Sequence, residues 1–123
     1  MAKKKIIYIA AASEDRRIRN MIKAEPLRTK RLFEYADPPV EETYDRQWQA
    51  QVREQIRQST GVLVVISKNT LLSRSQAWER QCAEEERKPM KGIWAYDQDQ
   101  ASARNLSTMV WTWGNIANWI DEL

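Results

Sequence analysis

Two unbroken apolar runs dominate the hydrophobic pattern of this chain. One extends from Ile6 to Ala12, and the other from Val62 to Ile66. Because neither run alternates with polar residues, each predicts a strand that is covered on both faces, as strands of a parallel sheet are. We expect these two strands to lie in the centre of the sheet.

Weaker apolar patterns predict two further strands and several helices. The half-polar run from Leu32 to Ala36 predicts an outer strand, and the run from Met90 to Tyr96 predicts another strand. Helical spacing recurs at four places along the chain: at Ile18, Met21 and Ile22, at Tyr44, Trp48, Val52 and Ile56, at Trp78 and Cys82, and at Ile116, Trp119, Ile120 and Leu123. Strands and helices alternate, which predicts an α/β fold with a four- or five-stranded, mostly parallel sheet and helices on both faces.

Polar residues mark the expected ends of these elements. Ser13 offers a cap for the first helix, and Ser73 or Ser75 offers one for the third. The last helix is expected to start after Gly114, and the polar stretch 97–108 is expected to be irregular.

The composition limits the chemistry that this chain can perform. Its 123 residues suit one domain with one core, which we place at residues 1–123. Histidine is absent and cysteine occurs once, which excludes an internal disulfide, the usual Cys/His zinc sites and any nucleophile activated by histidine. Catalysis must therefore use carboxylates, hydroxyls, backbone amides or lysine.

Charge and hydropathy predict neither a nucleic-acid partner nor a membrane partner. The chain has 20 basic and 17 acidic residues, and its basic clusters, 3–5 and 28–31, each precede an apolar run and are interpreted as solvated strand flanks. No apolar stretch approaches the ~20 residues that span a bilayer, and no signal peptide is recognisable. The lone Cys82 suits a reducing compartment, so a cytoplasmic location is expected.

The carboxyl ends of the predicted strands are the expected place for a ligand. They present the segments 11–15, 67–75 and 97–99 together with Asp37. Three glycines are too few for the phosphate-binding loops of classical dinucleotide enzymes or P-loop enzymes. A phospho-acceptor receiver domain is also excluded, because Ser67 stands where its acceptor aspartate is needed.

Two weaker interpretations concern acidic and aromatic residues. Asp97 and Asp99, with Glu14, have the spacing of a magnesium site for a phosphate-ester enzyme, although acidic residues at a loop entrance more often cap or stay solvated. The C-terminal tryptophans are interpreted as core residues rather than a stacking platform, and Cys82 as a buried small side chain.

The order of several motifs resembles the TIR-like proteins. They comprise the helix segment Ser75-Gln76-Ala77-Trp78-Glu79-Arg80-Gln81-Cys82-Ala83, then Arg87-Lys88-Pro89 before a strand, and the C-terminal Trp111-x-Trp113-Gly114-Asn115-Ile116-x-x-Trp119-Ile120. The chain is most similar to the short TIR-like group related to the TIR subunit of bacterial Thoeris antiphage defence. The resemblance covers nearly the whole chain.

The resemblance implies a flavodoxin-like, three-layer fold and cleavage of the nicotinamide–ribose bond of NAD. NAD is then the substrate, no further cofactor or metal is implied, and the product is ADP-ribose or a cyclic or conjugated derivative of it. Glu79 carries over as the catalytic glutamate, and the expected substrate-binding residues are Ala11, Ser13, Asp15, Asp37, Ser67 and Trp78. The resemblance also implies self-association, a phage-derived trigger and a separate effector protein.

The chemistry of Glu79 agrees with this expectation. Nicotinamide on ribose is already a cationic leaving group, so one carboxylate that meets charge on the ribose is sufficient, whereas ordinary glycosidases need two. We expect Glu79 to be reachable from solvent or a cleft, with Trp78 and Cys82 buried. Two alternatives stay open: Glu79 is an ordinary exposed glutamate in a row with 84–86, or the chain is a non-enzymatic interaction module that assembles through its surface helices and the 37–42 loop.

Overall fold

The computed structural model describes residues 4–37, 43–96 and 106–123. Five strands form one sheet: β1 (Lys5–Ala10), β2 (Phe33–Tyr35), β3 (Gly61–Ile66), β4 (Met90–Trp94) and β5 (Thr108–Met109). Their order is β2-β1-β3-β4-β5, and all neighbouring strands are parallel. This is the strand order of flavodoxin-like sheets. The prediction that the two apolar runs form internal strands is confirmed.

Four α-helices in the described residues cover the two faces of the sheet. They are α1 (Arg16–Ala24), α2 (Arg46–Arg57), α3 (Arg74–Glu85) and α4 (Trp113–Glu122). Residues of α1 and α4 share one core cluster with the sheet, and residues of α2 and α3 share another. The predicted three-layer α/β fold is therefore confirmed.

The side chains of β1 alternate between these two cores. Ile7 and Ile9 belong to the cluster under α1 and α4, while Tyr8 and Ala10 belong to the cluster under α2 and α3. Every residue of β3 is buried. Burial on both faces explains why the sequence of these strands shows runs rather than alternation.

Capping residues explain where several helices start. Asp45 accepts a hydrogen bond from the Trp48 amide at the start of α2, and Ser73 accepts one from the Gln76 amide at the start of α3. The prediction that Ser13 caps the first helix is wrong, because residues Ser13–Asp15 form a short 3-10 turn and α1 begins only at Arg16.

The sequence-based boundaries differ from the structure at the fourth and fifth strands. β4 ends at Trp94 rather than Tyr96, and Thr108–Met109 pairs with β4 at an edge that the sequence pattern left irregular. A two-residue strand carries too little periodicity to be recognised. Within the described residues, no helix has the length and apolar character needed to cross a membrane.

Candidate functional site

The carboxyl ends of β1 and β3 form the topological switch point of the sheet. β2 lies on one side of β1 and β3 on the other. The chain leaves β1 towards α1 on one face and leaves β3 towards α3 on the opposite face. The segments that follow β1 and β3 therefore separate at this point and leave a crevice between them. Open parallel sheets bind ligands in such a crevice.

A buried hydrogen-bond network joins the two loops at this point. The Ser67 hydroxyl donates to Asp15 Oδ2 over 2.5 Å, and the Asn69 side-chain amide donates to Asp15 Oδ1 over 3.1 Å. The Ser67 hydroxyl also accepts a bond from the Asn69 backbone amide at 3.0 Å. Asp15 and Ser67 were both expected to bind substrate. In this structure, their polar atoms hold the loops after β1 and β3 to each other.

A small cavity lies beside this network, at the start of α3. It has a volume of about 130 Å³, and its lining residues are Ser13, Glu14, Tyr44, Leu72, Ser73, Arg74 and Ser75. The Arg74 guanidinium lies over the Tyr44 ring, 4.8 Å from its centroid. Ser13, one of the expected binding residues, therefore faces this cavity.

Glu79 is not reachable from solvent, so the expectation of an accessible carboxylate is wrong. Its residue exposure is 3%, and its Oε2 accepts a hydrogen bond of 2.5 Å from the Tyr8 hydroxyl. Tyr8 is fully buried on β1. The alternative of an exposed helix glutamate is wrong for the same reason.

The cause is the orientation of α3. Its buried residues are Ser75, Gln76, Glu79, Cys82 and Ala83, which recur at the spacing of one helical face. The predicted inner face was centred on Trp78 and Cys82, because polar residues give no hydrophobic signal. Cys82 is buried as expected, but Trp78 lies at the flank of the face and is only partly buried.

Gln76 fixes α3 to both central strands. Its Nε2 donates to the carbonyl oxygen of Ala10 at 3.1 Å and to that of Val65 at 2.6 Å. Gln76 is fully buried, and its Oε1 has no hydrogen-bond partner within the described part of the chain. The helix is therefore held against the switch point one turn before Glu79.

The other expected binding residues make no hydrogen bond to the Gln76 side chain within residues 4–37, 43–96 and 106–123. Ala11 is 5% exposed and belongs to the core under α1 and α4. Asp37 is exposed beyond the end of β2. The Trp78 ring lies under the Arg53 guanidinium, with 5.1 Å from the guanidinium carbon to the ring centroid.

The magnesium alternative lies partly outside the described residues. Asp97 and Asp99 fall there, and Glu14 is exposed at the small cavity. Among the residues that the structure describes, no three Asp, Glu, His or Cys side chains are grouped to hold a metal ion.

The sequence reasoning missed Tyr8 and Gln76. Tyr8 had a detectable signal, since it is the one side chain with a hydroxyl in the run from Ile6 to Ala12, and a buried hydroxyl needs a partner. Gln76 had none, because its partners are main-chain carbonyls of two strands that are distant in sequence.

Comparison with known proteins adds no assignment. No protein-family model matches the sequence, and no curated protein matches it significantly.

Proposed function

We propose that this protein is a TIR-like enzyme that cleaves the nicotinamide–ribose bond of NAD, with Glu79 as the carboxylate that meets positive charge on the ribose. The product is ADP-ribose or a cyclic or conjugated derivative that serves as an immune signal in antiphage defence. The observation that carries the proposal is a buried carboxylate on the second turn of α3, one turn after Gln76, which bonds the main chain near the carboxyl ends of β1 and β3.

Burial of Glu79 supports this proposal. A carboxylate removed from water loses several kcal/mol of hydration, at an order-of-magnitude level, and such groups concentrate at functional sites. A developing cation is stabilised more strongly in such a dry environment than in water. In its ionised form, Glu79 would therefore stabilise the positive charge that develops when a cationic group leaves the ribose.

The neighbouring groups suit an anionic substrate with hydroxyls. Arg74 and the start of α3 favour negative charge at the small cavity, although Glu14 also lines it. Gln76 has a buried acceptor atom without a partner among the described residues, which a hydroxyl or amide donor of the substrate would satisfy. These groups occupy the first two turns of the helix that holds Glu79.

Because Glu79 is 3% exposed, substrate reaches it only if neighbouring side chains move. We therefore expect activity to depend on assembly of several copies or on a trigger. This dependence agrees with the partners that the resemblance implies.

The experiment is an assay of nicotinamide release from NAD at low and high protein concentration, with and without a chelator. Glu79→Gln keeps the shape and removes the charge, so turnover should fall about 10²–10³-fold. Glu84→Gln, on the exposed side of the same helix, is the matched control and should not alter turnover. Equal rates for wild type and Glu79→Gln contradict the assignment of Glu79.

The interaction module is the second candidate, and a different observation favours it. Leu71 and Leu72 are adjacent, 66% and 87% exposed, and lie at the carboxyl edge of the sheet. Exposed leucines at one edge are typical of a contact surface. A wild type that is inert at every concentration, but loses self-association on Leu72→Ser, supports this candidate.

A further inference from the structure

The hydrogen bond between Tyr8 and Glu79 connects the rigid centre of the sheet to the proposed catalytic carboxylate. Tyr8 lies on β1, which is paired with β2 on one side and β3 on the other. Its ring belongs to the core under α2 and α3, and its hydroxyl donates to Glu79 Oε2. The donor therefore comes from one of the least mobile kinds of position in the fold.

Filling the core does not by itself require this hydroxyl–carboxylate pair. A phenylalanine in place of Tyr8 and an apolar residue in place of Glu79 would fill similar volumes without removing a hydroxyl and a carboxylate from water. Replacing both partners of a buried polar pair in this way is often neutral or stabilising. A role outside stability is therefore the better explanation.

We propose that Tyr8 is the positioning residue of Glu79: its hydroxyl fixes the orientation of the carboxylate towards the reacting ribose. This inference rests on the proposed function. Tyr8 itself touches neither substrate nor reacting atoms; it acts through Glu79.

The geometry of α3 supports this role. Gln76 holds the helix to the main chains of β1 and β3, and Tyr8 holds the side chain of Glu79 one turn further along. The first contact fixes where the helix lies, and the second fixes how the carboxylate is turned. Orientation within a few tenths of an ångström is what a positioned catalytic group requires.

The protonation state of Tyr8 is consistent with a donor. Burial, and then the charge of Glu79, raise the pKa of Tyr8 well above its ordinary value of 10.0. The phenol therefore keeps its proton throughout the neutral range and donates a hydrogen bond to the carboxylate.

The test is a double-mutant cycle on nicotinamide release, with Tyr8→Phe, Glu79→Gln and the combined variant. Tyr8→Phe removes one hydroxyl and should lower kcat about 10- to 100-fold, the range for losing a hydrogen bond to a charged group, with KM for NAD changed less than about twofold. In the Glu79→Gln background the same change should have no further effect, because the carboxylate on which Tyr8 acts is gone.

Tyr35→Phe is the matched control. The Tyr35 hydroxyl is also buried, has no partner within the described residues, and belongs to β2. Its removal should leave kcat unchanged.

Three outcomes overturn the inference. Tyr8→Phe with wild-type kcat shows that the hydroxyl is not used, and an equal loss of kcat in both backgrounds shows a general structural effect. A Tyr8→Phe protein that does not fold, judged by circular dichroism, assigns the hydroxyl to the fold. Failure of the proposed function is distinct, since the wild type itself then releases no nicotinamide under any condition.

Discussion

The two faces of the sheet are built differently. The core under α1 and α4 is filled by aliphatic and aromatic side chains such as Ile22, Ile116 and Trp119. The core under α2 and α3 has an apolar cluster too, but it also encloses the Tyr8–Glu79 pair, and Gln76 on the same side of α3. We therefore expect changes in the first core to alter stability alone, and changes at the polar groups of the second to alter chemistry as well.

Trp119→Ala should give the largest effect on stability. Trp119 is 7% exposed on α4, so truncation leaves a cavity and should lower the free energy of unfolding by about 3–5 kcal/mol. Urea denaturation measures this loss, and turnover per folded molecule should be unchanged. Leu72→Ala, at an 87% exposed position, is the control and should stay within about 0.5 kcal/mol of wild type. If the folded Trp119→Ala protein turns over more slowly than wild type, the core under α1 and α4 also affects chemistry, and the proposed difference between the two cores is wrong.

The apolar core is also the part that the sequence predicted well. Burial on both faces leaves an unbroken apolar run, so the internal strands were predicted from Val62–Ile66 and Ile6–Ala12. The inner face of α4 was predicted from the helical spacing of Ile116 and Trp119. In these segments the hydrophobic effect decides orientation, and it is visible in a single sequence.

The polar core was predicted poorly for the same physical reason. The inner face of α3 includes Gln76 and Glu79, whose burial depends on hydrogen bonds to β1 and β3 rather than on hydrophobicity. Those partners are brought together only by the fold. Glu79 was singled out from the sequence, but its burial and its hydrogen bond with Tyr8 were not predicted.

Glu79→Leu should have the second largest effect on stability. It leaves the buried hydroxyl of Tyr8 without this acceptor and should cost about 1–3 kcal/mol. Adding Tyr8→Phe should recover part of that loss, because the hydroxyl that lost its acceptor is then gone. Urea denaturation of the two variants tests this recovery. If the second change gives no recovery, the fold itself depends on the pair, and the contrast between stability and chemistry fails on this face.

High pH should lower the free energy of unfolding, because tyrosines with buried hydroxyls lie on both faces of the sheet. Burial raises the pKa of Tyr35, which packs against the α1–α4 core, from 10.0 to about 12. The folded state keeps this proton where the unfolded state loses it, so the contribution is present below pH 10 and is lost between pH 10 and 12.

The comparison of unfolding free energies at pH 9 and pH 11 measures this contribution. Because part of Tyr35 is exposed to solvent, the loss from this group should be about 1 kcal/mol rather than the full value of the shift. Tyr35→Phe should show a smaller decrease than wild type. An identical decrease in both proteins would place the alkaline sensitivity elsewhere.

The smallest effect is expected at the exposed ion pairs between α2 and α3. Arg53 lies 2.9 Å from Glu85, and Arg57 lies 2.9 Å from Glu86. These pairs join the same two helices that enclose Glu79, but solvent and salt screen them. Glu85→Gln should therefore change the free energy of unfolding by no more than about 0.5 kcal/mol, and less at high salt. A larger loss, measured by urea denaturation at low and high salt, would show that charges at the surface, and not only the buried pair, set the position of α3.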